Sequence, residues 1–175
     1  MIEQKIKSVI RDVPNFPKEG IIFKDISTIM MNPILSAEIL DHLVNLYKDK
    51  GLTKIAGIES RGFLFGYPLA IRLGLPFVLI RKKGKLPYDK LSYCYDLEYG
   101  SATIEIHTDA IEVGDKVLIH DDLLATGGSA SAAAELIQQC GGTVEAFNFL
   151  VSLDFLNGTE KLKNYTNNIS KLASY

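Results

Sequence analysis

Two adjacent carboxylates, Asp121 and Asp122, close an apolar run, and a turn of Ala125, Thr126, Gly127, Gly128 and Ser129 follows closely. Paired carboxylates repel a phosphate but suit the hydroxyls of a diol or a hydrated Mg²⁺ ion. The turn has the opposite character. Its glycines let the backbone wrap closely around an anion, and Thr126 and Ser129 add hydroxyl donors. A helix opening at this point offers unpaired N–H groups and the positive end of its dipole. Acceptors for a diol beside donors for a phosphate match a ribose 5-phosphate. An isolated Thr-Gly-Gly is often no more than a helix start; strand, acidic pair, LLATGGS and helix in that order is far more specific. Neither GxxxxGK[ST] nor GxGxxG occurs, since Gly84-Lys85 is followed by Leu86. A P-loop kinase or dinucleotide enzyme is therefore disfavoured.

Four further stretches carry chemistry. In NFPKEGIIFKDIS (15–27), Phe23 offers a flat surface for stacking a base, and backbone groups near Ile22 and Lys24 can read a base edge. In AGIESRGFLFG (56–66), backbone N–H groups around Ser60, Arg61 and Gly62 can hold an anion. After an apolar run, Arg81, Lys82, Lys83 and Lys85 concentrate positive charge in a chain of net charge -2. Such a run is usually a solvated loop; beside an anion site it gains meaning. Glu98, followed by Tyr99 in YDLEYG, is the best general acid–base candidate.

The string DDLLATGG resembles the PRPP-binding motif of the type I phosphoribosyltransferases, and in this variant that of the adenine phosphoribosyltransferases (PRPP is 5-phosphoribosyl-1-pyrophosphate). The resemblance extends from about residue 13 to about 155, with FPxxGxxFxDI, the 56–66 loop, RKxGKLP and LEYG in the family's order. It implies that Asp121 and Asp122 hold the ribose and, through water and PRPP, Mg²⁺. It assigns Ala125, Thr126, Gly127, Gly128 and Ser129 to the 5-phosphate, and Ile22, Phe23 and Lys24 to adenine. Ser60, Arg61, Arg81, Lys82, Lys83, Lys85 and Tyr99 fall to pyrophosphate, and Glu98 to proton transfer. An unusual peptide bond would lie at Glu59-Ser60. The family also implies a homodimer in which Lys82 or Lys83 reaches the other subunit's site. Lys24 stands where the family has Arg, Glu59 where it often has Asp, and His120 where it has an aliphatic residue. The His120 side chain is expected to be packed or partly exposed rather than catalytic. The activity implied is transfer of phosphoribose to adenine, yielding AMP and pyrophosphate. Xanthine, hypoxanthine or guanine as the base, and a silent PRPP-sensing module, stay open as alternatives.

These residues need a scaffold. Apolar spacing predicts a helix over 2–12, ended by Pro14 and Pro17. Asn32 and Pro33 open a second helix, and Gly51 closes it. Short apolar runs at 53–58, 76–81, 116–120 and 143–151 read as buried strands, with helices over 62–73 and 129–140. Stretches 92–98 and 102–107 flank Gly100 as a hairpin, and a short helix is expected near 159–163. Strands alternating with helices predict an α/β fold: a central, mostly parallel sheet with helices on both faces. The expected organisation is a single domain over 1–175, with an N-terminal base-binding hood (1–33) and an antiparallel lid loop and hairpin (82–107).

A hydrophobic share of 47% with 23% charged residues is the balance of a globular domain that buries its own core. The net charge argues against a nucleic-acid partner. No stretch approaches the roughly twenty apolar residues that span a bilayer, and the N-terminus carries no secretory signal. Cys94 and Cys140 form no metal-ligand spacing and are expected as free thiols in the cytoplasm.

Overall fold

The computed structural model describes residues 1–96 and 100–175. Helix α1 (Ile2–Val9) packs Ile6 inward. It stops earlier than its periodicity predicts. Val13 precedes Pro14, which disfavours helical backbone, and Arg11–Pro14 instead forms strand β1, antiparallel to β2 (Ile22–Asp25). After the short helix α2 (Ser27–Met30), Asn32 caps α3 (Pro33–Tyr47) as expected. Its Oδ1 accepts the Leu35 amide at 3.1 Å, and Leu35, Ile39, Leu43 and Tyr47 form the buried stripe of that helix.

The remaining elements are β3 (Lys54–Ile58), α4 (Gly62–Leu73), β4 (Phe77–Lys82), β5 (Lys90–Asp96), β6 (Ser101–His107), β7 (Lys116–Leu124), α5 (Gly128–Gln139), β8 (Thr143–Ser152), α6 (Gly158–Leu162) and β9 (Ile169–Ser174). Seven strands make one sheet in the order β5-β6-β4-β3-β7-β8-β9. The five from β4 to β9 run parallel, and β6 and β5 join antiparallel at one edge. The α/β expectation and its antiparallel hairpin are borne out. From β3 the chain moves outward to β4, but from β7 it moves the other way to β8 and β9. Strand order thus reverses between β3 and β7, and a crevice opens at their carboxyl ends.

Strand β7 exceeds its sequence limit, and β9 has no counterpart in the sequence reading. β7 continues past His120 to Leu124, because Asp121, Leu123 and Leu124 pair with Phe149, Val151 and Ser152 of β8. The acidic pair therefore stands on a ladder rather than in a loop. β9 was not foreseen. It is an edge strand whose only buried residues are Leu172 and Ala173, so its apolar pattern is weak.

Both faces of the sheet are covered. On one, Ala132, Ala133 and Ala134 of α5 are buried against Ile119, Phe147 and Phe149, their small side chains letting the helix lie close. On the other, α3 and α4 pack Leu43 and Leu69 against Ile55, Leu118 and Leu150. Among the described residues no helix is long and apolar enough to cross a membrane. Removing the cap by Asn32→Ala should lower unfolding stability by about 1 kcal/mol in urea titration. An unchanged midpoint would mean that water caps the Leu35 amide equally well.

Candidate active site

The reversal point brings two sequence motifs into contact. β3 ends at Ile58, and the Glu59–Ser60 peptide that follows is cis. Gly62, at the start of α4, abuts the end of β7. A Cβ there would lie 2.7 Å from the His120 carbonyl oxygen and 3.0 Å from Asp121 Oδ1, so only glycine fits. The Asp122 amide donates to Asp121 Oδ1 at 2.9 Å. Arg61 Nε lies 2.7 Å from Asp122 Oδ2, and its guanidinium also covers the Phe23 ring at 5.5 Å. One arginine thus links the base segment, the 59–62 loop and the acidic pair.

The pair is poorly neutralised. Burial, then the neighbouring Asp122 charge, pushes the Asp121 carboxyl well above its usual range. Burial raises Asp122 also, with Arg61 opposing. Asp122 is 5% exposed, and its Oδ2 sits close to Arg61 without an aligned hydrogen bond. Desolvated carboxylates with spare acceptor capacity favour a diol or a hard cation. Among the described residues no cluster of three or more His, Cys, Asp or Glu stands ready to hold a metal. Two carboxylates fit Mg²⁺ only if a bound phosphate compound and water supply the other ligands.

The Gly-rich turn is held by the start of α6, the short helix expected near 159–163, in a contact that sequence reasoning did not foresee. Gly127 takes φ +79 as the cap of α5. A Cβ on Gly158 would lie 2.2 Å from the Ala125 carbonyl oxygen, and one on Gly127 would lie 2.8 Å from that of Gly158. The two backbones cross in direct contact. The signal in the sequence was Asn157-Gly158, a turn pair whose asparagine adopts φ 54. On the outer side, the Tyr95 and Ser129 hydroxyls are hydrogen-bonded at 2.8 Å. Thr126 stays exposed.

The basic run divides. Glu59 accepts both Arg81 Nε and a terminal Arg81 nitrogen at 3.1 Å, and the Lys82 amide at 3.0 Å. The Arg81 hydrogen bonds hold the Glu59 carboxyl below its usual range. Arg81 also donates to the Lys85 carbonyl, and the buried Glu105 accepts the Gly84 amide. Arg81 therefore shapes the turn, while Lys82, Lys83 and Lys85 stand exposed on it. Glu98 and Tyr99 lie outside the described residues.

The base segment reaches the same region. Lys24 Nζ pairs with Asp12 at 2.7 Å and sits 4.0 Å from the Tyr175 ring centroid. The half-buried Phe23 meets Phe16 edge to face. A cleft of about 990 Å³ is lined by Ile22 and Lys24, by Ala125 and Thr126, and by Phe155 and Tyr175. The last two come from the tail, where Leu153, Phe155 and Leu156 were the overlooked signal for the first of them. His120 is fully buried, the packed one of the two positions expected. Its Nδ1 lies 2.7 Å from Asn148 Oδ1, and Asn148 donates to Ser170 Oγ, which also meets the Tyr47 hydroxyl.

The chain matches the family model of the phosphoribosyl transferase domain over residues 26–172. It is 53% identical over 159 residues to an adenine phosphoribosyltransferase of Haemophilus influenzae, covering 91% of this chain and 88% of that protein. A relative of the same name from Cytophaga hutchinsonii is 47% identical and covers 100% of this chain and 97% of its own. The crystal structure of adenine phosphoribosyltransferase from Thermoanaerobacter pseudethanolicus superposes with a TM-score of 0.94 at 45% identity, with both chains fully covered (100% and 100%). That of the Saccharomyces cerevisiae enzyme, complexed with adenine and an imino-altritol bisphosphate, gives 0.90 at 43% identity, covering 98% of each chain.

Burial pushes the His120 imidazole down to about 4 from an ordinary 6.5. Between those values the unfolded chain takes up a proton that the folded chain refuses, so His120 removes stability as pH falls from 6.5 to 4. The amount is at most about 3 kcal/mol. The raised carboxyls of Asp121 and Asp122 act with opposite sign, and are retained in a His120→Leu variant. Urea unfolding of both proteins should show their stability difference shrinking by up to that amount across the interval. A constant difference would mean that His120 binds protons alike in both states.

Proposed function

The chain belongs to the adenine phosphoribosyltransferases of the phosphoribosyl transferase domain family, and from that membership we propose that it joins adenine to PRPP, releasing AMP and pyrophosphate in purine salvage. The observation that carries this reading is one cleft lined by both the base segment and the phosphate turn, with the half-buried Asp121 and the buried Asp122 behind them. We assign the whole of 1–175 to a single transferase domain, with 1–33 as hood and 82–107 as lid.

In the transfer, the bond from the ribose anomeric carbon to pyrophosphate breaks, and a nitrogen of adenine forms the new bond to that carbon. A proton leaves the base. Positive charge builds on the ribose ring in between. Asp121 and Asp122 hold the ribose hydroxyls and set negative charge beside that cation. Ala125, Thr126, Gly127, Gly128 and Ser129 hold the 5-phosphate at the start of α5. The amides of Ser60 and Arg61 take one end of the pyrophosphate, and Lys82, Lys83 and Lys85 offset its charge. Arg81 serves indirectly, through its bidentate hold on Glu59. Ile22 and Phe23 flank the base, and the Lys24 backbone reads its edge. Glu98 is assigned to proton transfer, with Tyr99 beside it in sequence. Mg²⁺, held by the acidic pair through water and PRPP, would neutralise the leaving pyrophosphate.

Two assignments reach beyond the site. A homodimer is supported by Leu64, Tyr67 and Ile71, which α4 leaves 45%, 55% and 61% exposed on one helical stripe. A cytoplasmic setting suits Cys94 and Cys140, which are free thiols.

Pyrophosphate release with PRPP and Mg²⁺ should appear with adenine and not with hypoxanthine, guanine or xanthine. Turnover of another base in preference would overturn the adenine assignment, and PRPP binding without turnover of any base would favour a sensor. Gly158→Ala should raise the KM for PRPP about five- to thirtyfold, since one to two kcal/mol of displaced phosphate donors translates to that range. An unaltered KM would separate the tail crossing from phosphate binding.

A further inference from the structure

Tyr95 opens the YDLEYG string but carries none of the roles assigned above, yet it lies against the phosphate turn. Its hydroxyl is 2.8 Å from Ser129 Oγ. Its ring lies over the first residue of α5: a Cβ on Gly128 would stand 3.4 Å from Tyr95 Cδ2 and 3.6 Å from Cε2. Tyr95 projects from β5, which pairs along its whole length with β6, so its backbone is fixed independently of α5. Neighbouring Asp96 is among the residues that line the cleft.

A serine hydroxyl has one proton to give and lone pairs to receive. Left free, Ser129 has several rotamers, only some of which aim that proton at an anion cradled by the turn. A phenol donating into Ser129 Oγ occupies a lone pair and leaves the serine proton directed outward. Hydrogen bonds in such a chain also polarise each other. We infer that Tyr95 is a positioning residue for the phosphate turn: its hydroxyl donates to Ser129, which in turn donates to the 5-phosphate of PRPP. The inference rests on the assignment of Ser129 to that phosphate. It makes the hairpin strand β5 a part of the phosphate site, although β5 contacts the phosphate only through Ser129.

The test is steady-state kinetics of the full chain with adenine and Mg²⁺, varying PRPP, for Tyr95→Phe, Ser129→Ala and the double variant. Phenylalanine keeps the ring over Gly128 and removes only the hydroxyl; thermal midpoints check that each variant folds. Loss of one ordinary hydrogen bond predicts a KM for PRPP about fivefold higher for Tyr95→Phe. The value of kcat should stay within about twofold, because binding is lost equally from ground and transition states. Ser129→Ala should raise KM at least as much, and the double variant no further than Ser129→Ala alone. A Tyr95→Phe enzyme with unchanged KM, or one whose effect persists in full on the Ser129→Ala background, would overturn the role given to Tyr95. Unchanged KM in Ser129→Ala would instead overturn the phosphate assignment of Ser129, whatever Tyr95→Phe did. A fall in kcat alone would place Tyr95 in the chemistry rather than in positioning.

Discussion

Two adjacent carboxylates, one buried and one half-buried, on the last paired stretch of a parallel strand set the terms for everything around them. Asp121 and Asp122 are poorly neutralised, and leaving them so costs free energy that a loop could relieve by swinging outward. β7 prevents this, because its ladder to β8 runs through Asp121 and on to Leu124. Gly62 then brings α4 against the strand end with no side chain between, and Arg61 arrives beside Asp122. The fold supplies partial compensation and leaves the remainder to a ligand. That distribution is a common mark of a working site rather than of a core.

The chemistry-bearing strings were legible because each pairs a residue type with a local geometry. Thr-Gly-Gly-Ser after a strand can hardly be read except as a turn into a helix, and α5 begins there. The Asn32 cap was equally readable, being a short-range hydrogen bond. What escaped is non-local. Nothing about Gly158 alone says that its backbone will cross Ala125 and Gly127. Nothing in Glu59 or Glu105 announces the arginine and the amides they accept from a neighbouring strand and turn. β9 stayed hidden because an edge strand needs few apolar residues, and β1 because an apolar helical pattern masked the veto of Pro14.

His120 illustrates the difference between a motif position and its environment. Its place before the acidic pair invites a catalytic reading, but burial and the hydrogen bonds through Asn148 and Ser170 toward Tyr47 make it a neutral strut between β7, β8, β9 and α3. An aliphatic side chain would fill similar space. The histidine adds a directional tie across three strands, and with it a penalty for acid.

Lys24 and Tyr175 lie far apart in the sequence, yet the ammonium of one rests on the ring of the other beside the cleft. The walls of the cleft are therefore drawn from segments widely separated in sequence. During synthesis, a chain extruded as far as β8 already has its acidic pair and phosphate turn, but lacks Gly158 beneath that turn and Tyr175 beside the base segment. The stretch beyond β8 thus finishes walls that the earlier strands only begin.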